Sequence, residues 1–143
     1  MAKTAAKDKP IKYTDKSAGQ PELVPIFNEL KKLLSPYAKG HLVVQGDQPG
    51  QYGLLSNKQI EVAGRKRDDV YFAGLLVQKG YVGFYFMAVY ANPSLVKQLH
   101  PDLAKCLKGK SCFHIKKNDP ALMQHVKDAL KKGYDCYKQR GWV

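Results

Sequence analysis

The 143 residues predict a single α+β domain, with an antiparallel or mixed sheet of about five or six strands. Helices are expected to pack mainly on one face: one N-terminal, two short and one long C-terminal. Three observations carry this expectation. An apolar stripe of helical period lies near each end of the chain. Short β-branched and aromatic runs, punctuated by glycine and proline, fill the middle. No internal repeat or low-complexity tract interrupts the chain, and 44% apolar with 25% charged residues fits one globular domain. At this mass, folding should bury roughly two-thirds of the chain's accessible surface, enough for one core.

Residues 1–19 are rich in Lys, Ala, Asp and Ser without hydrophobic period, and are expected to form a flexible basic arm ahead of a domain spanning 20–143. Pro21 suits a first helical turn. Leu23, Ile26, Phe27, Leu30, Leu33, Leu34 and Tyr37 then recur at the spacing of one helix face. Ser35-Pro36 should end or kink this helix, and Gly40 closes the segment. Strands are expected at His41–Gln45, Gln51–Ser56 and Lys58–Val62, with turns at Gly46–Gly50 and Gly64–Asp68. Asp69–Val77 and Tyr81–Tyr90 read as two strong strands joined by Gln78-Lys79-Gly80, a tight hairpin signal. Tyr81–Tyr90 is apolar in both registers, which predicts a central strand covered on both faces.

Asn92-Pro93 starts a short helix over Ser94–Leu99, and His100-Pro101-Asp102 a second one through Leu107, stopped by Gly109. Ser111–Lys117 is the last expected strand. Asp119-Pro120 caps the terminal helix, whose inner stripe is Leu122, Val126, Ala129, Leu130, Tyr134 and Tyr137.

Charge narrows the function classes. Twenty-four basic residues against 12 acidic ones give a net charge of +12, a field that favours anionic partners. Residues 97–143 hold 11 basic and 4 acidic side chains, so the excess is C-terminal. No apolar run approaches the roughly 18 residues of a membrane-spanning helix. The N-terminal lysines precede no apolar h-region, and three cysteines, Cys106, Cys112 and Cys136, make no disulfide framework. A cytoplasmic protein without a membrane association is expected.

Four motifs bear on chemistry. Ala104–Ser111 nearly spells a phosphate-binding loop but lacks its first glycine, and a helix precedes it where a strand should. Cys112 and His114 share one face of a strand, with Lys116 beyond them. As i, i+2 neighbours they lie too far apart for a nucleophile–base pair. A metal would need Cys106, His100 or Asp102 as further ligands, and none falls at a diagnostic spacing, so no metal or cofactor is expected. Lys79-Gly80-Tyr81-Val82-Gly83-Phe84-Tyr85-Phe86 partly resembles the first ribonucleoprotein motif of RNA-recognition domains, with Gly83 where an aromatic should stack on a base. No carboxylate pair stands out, so no catalytic residue is named.

Tyr81–Met87, Tyr90, Asn92-Pro93, Leu95 and Gly109–Phe113 resemble the YdhG-like family (domain of unknown function 1801). Lys132-Gly133-Tyr134, Tyr137 and Gly141-Trp142 are similar to a subset of it. The resemblance spans roughly residues 69–143 and implies a compact α+β fold without a settled activity. Some members have been likened to frataxin-type iron chaperones. Three glutamates and nine scattered aspartates on a strongly basic chain lack the clustered oxygens that iron handling needs, so no iron ligand carries over.

The leading expectation is a non-enzymatic binding domain for a small anionic ligand or an acidic protein partner. Its contacts would be Lys108, Lys110, Ser111, His114, Lys116 and Lys117, beside the Gly109 turn. The alternative is nonspecific single-stranded nucleic-acid binding through the same basic C-terminal face, assisted by the lysine arm.

Overall fold

The computed structural model describes residues 15–143. Residues 1–14 of the expected basic arm lie outside the described residues. Within it, Lys16 Nζ donates to Gln78 Oε1 at 2.9 Å, and Gln20 Oε1 accepts from the Gly80 N–H at 2.7 Å. The segment just ahead of the first helix thus leans on a hairpin tip.

The N-terminal stripe folds as its period predicts. A 3-10 turn at Pro21–Leu23 leads into α1 (Val24–Leu34), and a second at Ser35–Tyr37 ends it. Leu23, Ile26, Phe27, Leu30 and Leu34 are buried. Each such side chain contributes roughly 1.5–3 kcal/mol of apolar transfer free energy. At the other end, α4 (Pro120–Gln139) begins where Asp119 Oδ1 accepts the Ala121 N–H at 3.1 Å, and it buries Met123, Val126, Ala129, Leu130, Gly133 and Tyr137.

Between the helices runs a six-stranded, wholly antiparallel sheet. Its strands are β1 (Leu42–Gln48), β2 (Gln51–Ser56), β5 (Val70–Gln78), β6 (Tyr81–Phe86), β7 (Leu107–Lys108) and β8 (Cys112–Ile115), in the order β1-β2-β5-β6-β8-β7. A separate hairpin of β3 (Ile60–Val62) and β4 (Arg65–Arg67) bridges β2 and β5. Pairing aligns the residues in rows. Tyr52, Leu75, Phe84, Phe113 and Leu107 form one row, and Leu54, Ala73 and Phe86 another. Both rows face the helices and, Leu107 apart, are fully buried. Phe84 and Phe86 stack at 5.2 Å between centroids, and Phe72 meets both Phe86 and Tyr137 edge-on.

Two bonds tie the C-terminal segment to the sheet. Tyr137 Oη donates to the Tyr71 carbonyl at 2.7 Å, and Ser56 Oγ donates to the Trp142 carbonyl at 2.5 Å. Ser56 is the one fully buried polar side chain among the described residues, and this bond meets its need for a partner.

The structure corrects several expected boundaries. β1 runs on to Gln48 across an irregularity between Gln45 and Gln48, where Gly46 takes a φ of 75°. The turn there shrinks to Pro49-Gly50. The segment expected as a turn at 64–68 contains β4. Helix α3 (Pro101–Ala104) is shorter than expected, and Leu107 and Lys108 join the sheet instead. Pro93–Gln98 is a 3-10 helix, and β8 is confined to Cys112–Ile115.

The largest correction concerns Tyr81–Tyr90. The strand stops at Phe86, and Met87–Ala91 forms helix α2. Residues 87–90 broke the alternation because they are not strand. Ala88 lies beside Gly133 of α4, and this packing outweighs the local strand preference. Nor is β6 covered by helices on both faces. Val82, Phe84 and Phe86 face them; Tyr81, Gly83 and Tyr85 face the other way. No described helix is long and apolar enough to cross a membrane.

Candidate functional site

The face of the sheet turned away from the helices carries the site. One row crosses all six strands: Gln45, Gly53, Gly74, Tyr85, Cys112 and Lys108. The next holds Gln51, Leu76, Gly83 and His114, with Tyr81 beside Gln78 at its margin. Tyr71 lies opposite Leu55. Apart from the glycines, none of these side chains is buried.

Glycine and tyrosine on this face are complementary. A Cβ on Gly74 would stand 1.7 Å from the Tyr71 hydroxyl, and one on Gly53 2.6 Å from it. A Cβ on Gly83 would meet the Tyr85 ring at 3.0 Å. The two side chains therefore lie over backbone that only glycine leaves bare, and each is part-exposed. Beside them, Tyr81 and His114 stack at 3.7 Å between centroids with an 11° interplanar angle. Gln78 Nε2 donates to the Tyr85 hydroxyl at 3.4 Å. Partial burial raises the Tyr85 phenol above its ordinary value and pushes that of Tyr71 up to about 12, so both remain neutral hydrogen-bonding groups near neutral pH.

The charges around this aromatic strip are positive. Burial, and then the nearby Lys108 and Lys116 ammonium groups, hold the His114 imidazole below its ordinary 6.5. No carboxylate contributes to the shifts of Tyr71, Tyr85, Cys112 or His114. None stands in the pairing rows of this face either.

Of the six residues expected as contacts, the pairing register puts Lys108 and His114 on this face, and Lys116 is close enough to act on His114. Lys110 sits exposed in the β7–β8 turn that Gly109 closes with a φ of 79°. Ser111 shares that turn, and its carbonyl accepts from the Phe86 N–H at 2.8 Å. Lys117 is exposed just past β8. None of the six lines any of four clefts of 440 to 510 Å³ on the described surface.

Cys112 and His114 share a face as expected, yet each has a different neighbour: Tyr85 for Cys112 and Tyr81 for His114. Burial pushes the Cys112 thiol above its ordinary 9.0, with the Tyr85 hydroxyl pulling the other way. Such a thiol is no activated nucleophile. The Ala104–Ser111 segment ends in a β-hairpin with no helix after it, so it forms no phosphate loop.

His100 and Asp102 come together with His125, which spacing alone did not single out, rather than with Cys112. Their ligand atoms lie within 4.8 Å of one another. The imidazoles of His100 and His125 are stacked at 3.7 Å and 7°, however. A metal lies in the plane of each ligating ring, and two parallel planes share no such point. His100 Nδ1 also accepts the Asp102 N–H at 3.1 Å, which leaves the proton of the neutral ring on Nε2. These groups form a helix cap and a ring stack, not a coordination shell.

The residues that sequence reasoning missed are Tyr71 and Tyr85 as surface groups, with Gly53 and Gly74 beneath. The pattern that marks them is glycine alternating with tyrosine in strand register. Against known proteins, the chain matches no family model, no curated protein and no solved structure.

Proposed function

We propose that the open sheet face binds single-stranded nucleic acid, in a cytoplasmic and non-catalytic role. One observation carries this: the part-exposed Tyr71, Tyr85 and Tyr81–His114 pair occupy a face whose pairing rows hold no carboxylate among the described residues and which bears lysines at one end. Unpaired bases stack on such rings whatever their sequence, while a duplex conceals its base faces. Lys108, Lys116 and the adjacent Lys110 and Lys117 would meet the phosphates, each contact releasing condensed counterions. The partial match of Lys79–Phe86 to a ribonucleoprotein motif supports this reading, because Tyr81 and Tyr85 fall on the outward register of β6. Kinship with the YdhG-like family is part of the proposal; it supplies a fold and no activity.

A second reading, a small anion held at the β7–β8 turn, is favoured by the clustering of Lys108, Lys110 and Ser111 there. Fluorescence anisotropy of a labelled 12-nucleotide strand, titrated at several salt concentrations, decides between them. Strand binding through three or four phosphates gives a slope of log K against log[salt] of about −2 to −3, at roughly 0.7 per contact. It also favours a single strand over a duplex of equal length. Absence of binding at low salt, or equal affinity for duplex, would overturn the reading.

A further inference from the structure

A cleft of about 480 Å³ opens between the β3–β4 hairpin and the C-terminal end of α4. Small-molecule sites span roughly 300–1,000 Å³, so its size suits one compact ligand. None of Lys108, His114 and Lys116 lines it, and it stands apart from the proposed phosphate contacts.

Its walls are aromatic. Tyr71, which the sheet-face site shares, Tyr90 and Trp142 are among its lining residues, and Tyr90 is 55% exposed, the most exposed large apolar side chain described. Trp142 is steadied by an edge-on contact with Tyr137, at 5.0 Å and 79°. A half-open wall of this kind suits a flat ring that stacks on one side and remains wet on the other.

Four charged residues line the cleft: Glu61, Arg67, Asp69 and Arg140. Arg67 Nε is engaged by Asp69 Oδ1 at 3.0 Å, while Glu61, on β3, and Arg140, past the end of α4, make no ion pair with each other. Arg140 has no carboxylate partner among the described residues. Its guanidinium lies 5.0 Å from the Trp142 ring centroid and makes one long bond, 3.3 Å, to the Ala91 carbonyl. A guanidinium carries five N–H donors in a planar fork that matches carboxylate and phosphate, so most of its donors remain to be met.

We propose that this cleft binds a planar aromatic ring carrying an anionic group, of the size of a nucleoside monophosphate. The ring lies against Tyr90 and Trp142, and the anionic oxygens pair with Arg140. The free nucleotide is the ligand proposed, and a strand crossing the cleft is the outcome the test sets against it.

Trp142 is the sole tryptophan of the 143 residues, so its fluorescence reports on this cleft alone. The full chain is titrated with adenosine monophosphate, adenosine, inorganic phosphate and a 12-nucleotide strand lacking a terminal phosphate. Saturable quenching by the monophosphate, at least tenfold tighter than by adenosine, is expected. Arg140→Gln should remove that tenfold preference while leaving the adenosine titration unchanged. Tyr90→Ala, at an exposed position that should not disturb folding, should weaken both ligands. No saturable quenching by the monophosphate overturns the proposal, as does an Arg140→Gln variant that keeps the preference. Quenching by the strand with none by the monophosphate also overturns it, and places Trp142 on the path of a bound strand. If the strand fails to bind by anisotropy while the monophosphate still quenches, the sheet-face reading falls and this one stands.

Discussion

Replacing Gly133 by alanine sets two effects of opposite sign against each other. In a solvent-facing helix the exchange favours folding by about 1 kcal/mol, because alanine loses less backbone freedom. Gly133, however, is buried in the middle of α4, over the start of α2. A Cβ there would lie 2.3 Å from Phe86 Cζ, 2.6 Å from Phe86 Cε1 and 3.0 Å from Ala88 Cβ. Carbon atoms settle at roughly 3.5–4.0 Å, so the ring would have to retreat by about an ångström or more. Phe86 is fully buried, stacked on Phe84 and edge-on to Phe72, and has no free space to enter. Overpacking costs about 1–3 kcal/mol, and a 2.3 Å approach to a fully buried ring puts this exchange in the upper part of that range, about 2–3 kcal/mol, against the helix gain of about 1. We expect a net loss of about 1–2 kcal/mol, read as a lower urea midpoint at unchanged m-value and a Tm lower by about 3–8 °C. The Phe86→Leu background shortens the clashing side chain. There, Gly133→Ala should become neutral or stabilising, a coupling that a double-mutant cycle resolves. A Gly133→Ala single variant as stable as the parent would refute the reasoning.

Other outcomes follow from the open face and the caps. Tyr85→Leu should weaken strand binding by about 1–3 kcal/mol with the salt slope unchanged. Lys108→Gln with Lys116→Gln should flatten the slope by about 1.4, two contacts' worth. Anisotropy titrations of both variants check the pair, and a reversed pattern would sink the division of labour between rings and lysines. The same lysine variant should raise the His114 pKa toward 6.5, followed by NMR titration of its ring protons. A depressed histidine also makes the folded state lose stability as pH falls below 6.5, where the unfolded chain binds the proton more readily, and the contribution is full above that value. Urea midpoints across pH 5 to 8 should show a weaker decline in the lysine variant. Asp119→Ala removes the bond to the Ala121 N–H and should cost about 1 kcal/mol, checked by the urea midpoint.

How far the fold was legible depended on whether each segment had a buried face. The stripes Leu23–Leu34 and Val126–Tyr137 were visible because one side of each helix is buried and the other wet. β4 was not, since Arg65, Lys66 and Arg67 are all exposed and carry no hydrophobic period. The switch from strand to helix at Met87 left no local mark. Its N-cap is Phe86, which makes no capping bond, and the cause lies in α4, more than 40 residues onward. Of the site, Lys108 and His114 were legible from charge and alternation. The tyrosines were not, because an aromatic strand reads as core whether its outer face is covered by a helix or by its own rings. What distinguishes the cases is the glycine beneath each side chain: Gly74 and, across the β2–β5 register, Gly53 under Tyr71, and Gly83 two residues along β6 under Tyr85.

The bonds from Ser56 to Trp142 and from Tyr137 to Tyr71 also impose an order of events during synthesis. All six strands of the sheet leave the ribosome before α4 does, and until then Phe84, Phe86 and Phe113 have no cover from that helix. At roughly 5–20 residues per second, residues 116–142 take about 1–5 s to make. Until α4 docks, the strands present an apolar side that α1 covers only in part, a state in which a chain readily joins a neighbour or a chaperone. A codon change that slows translation across α4 would lengthen that exposure without altering a single residue. The yield of soluble protein, rather than its stability, is where such a change would register.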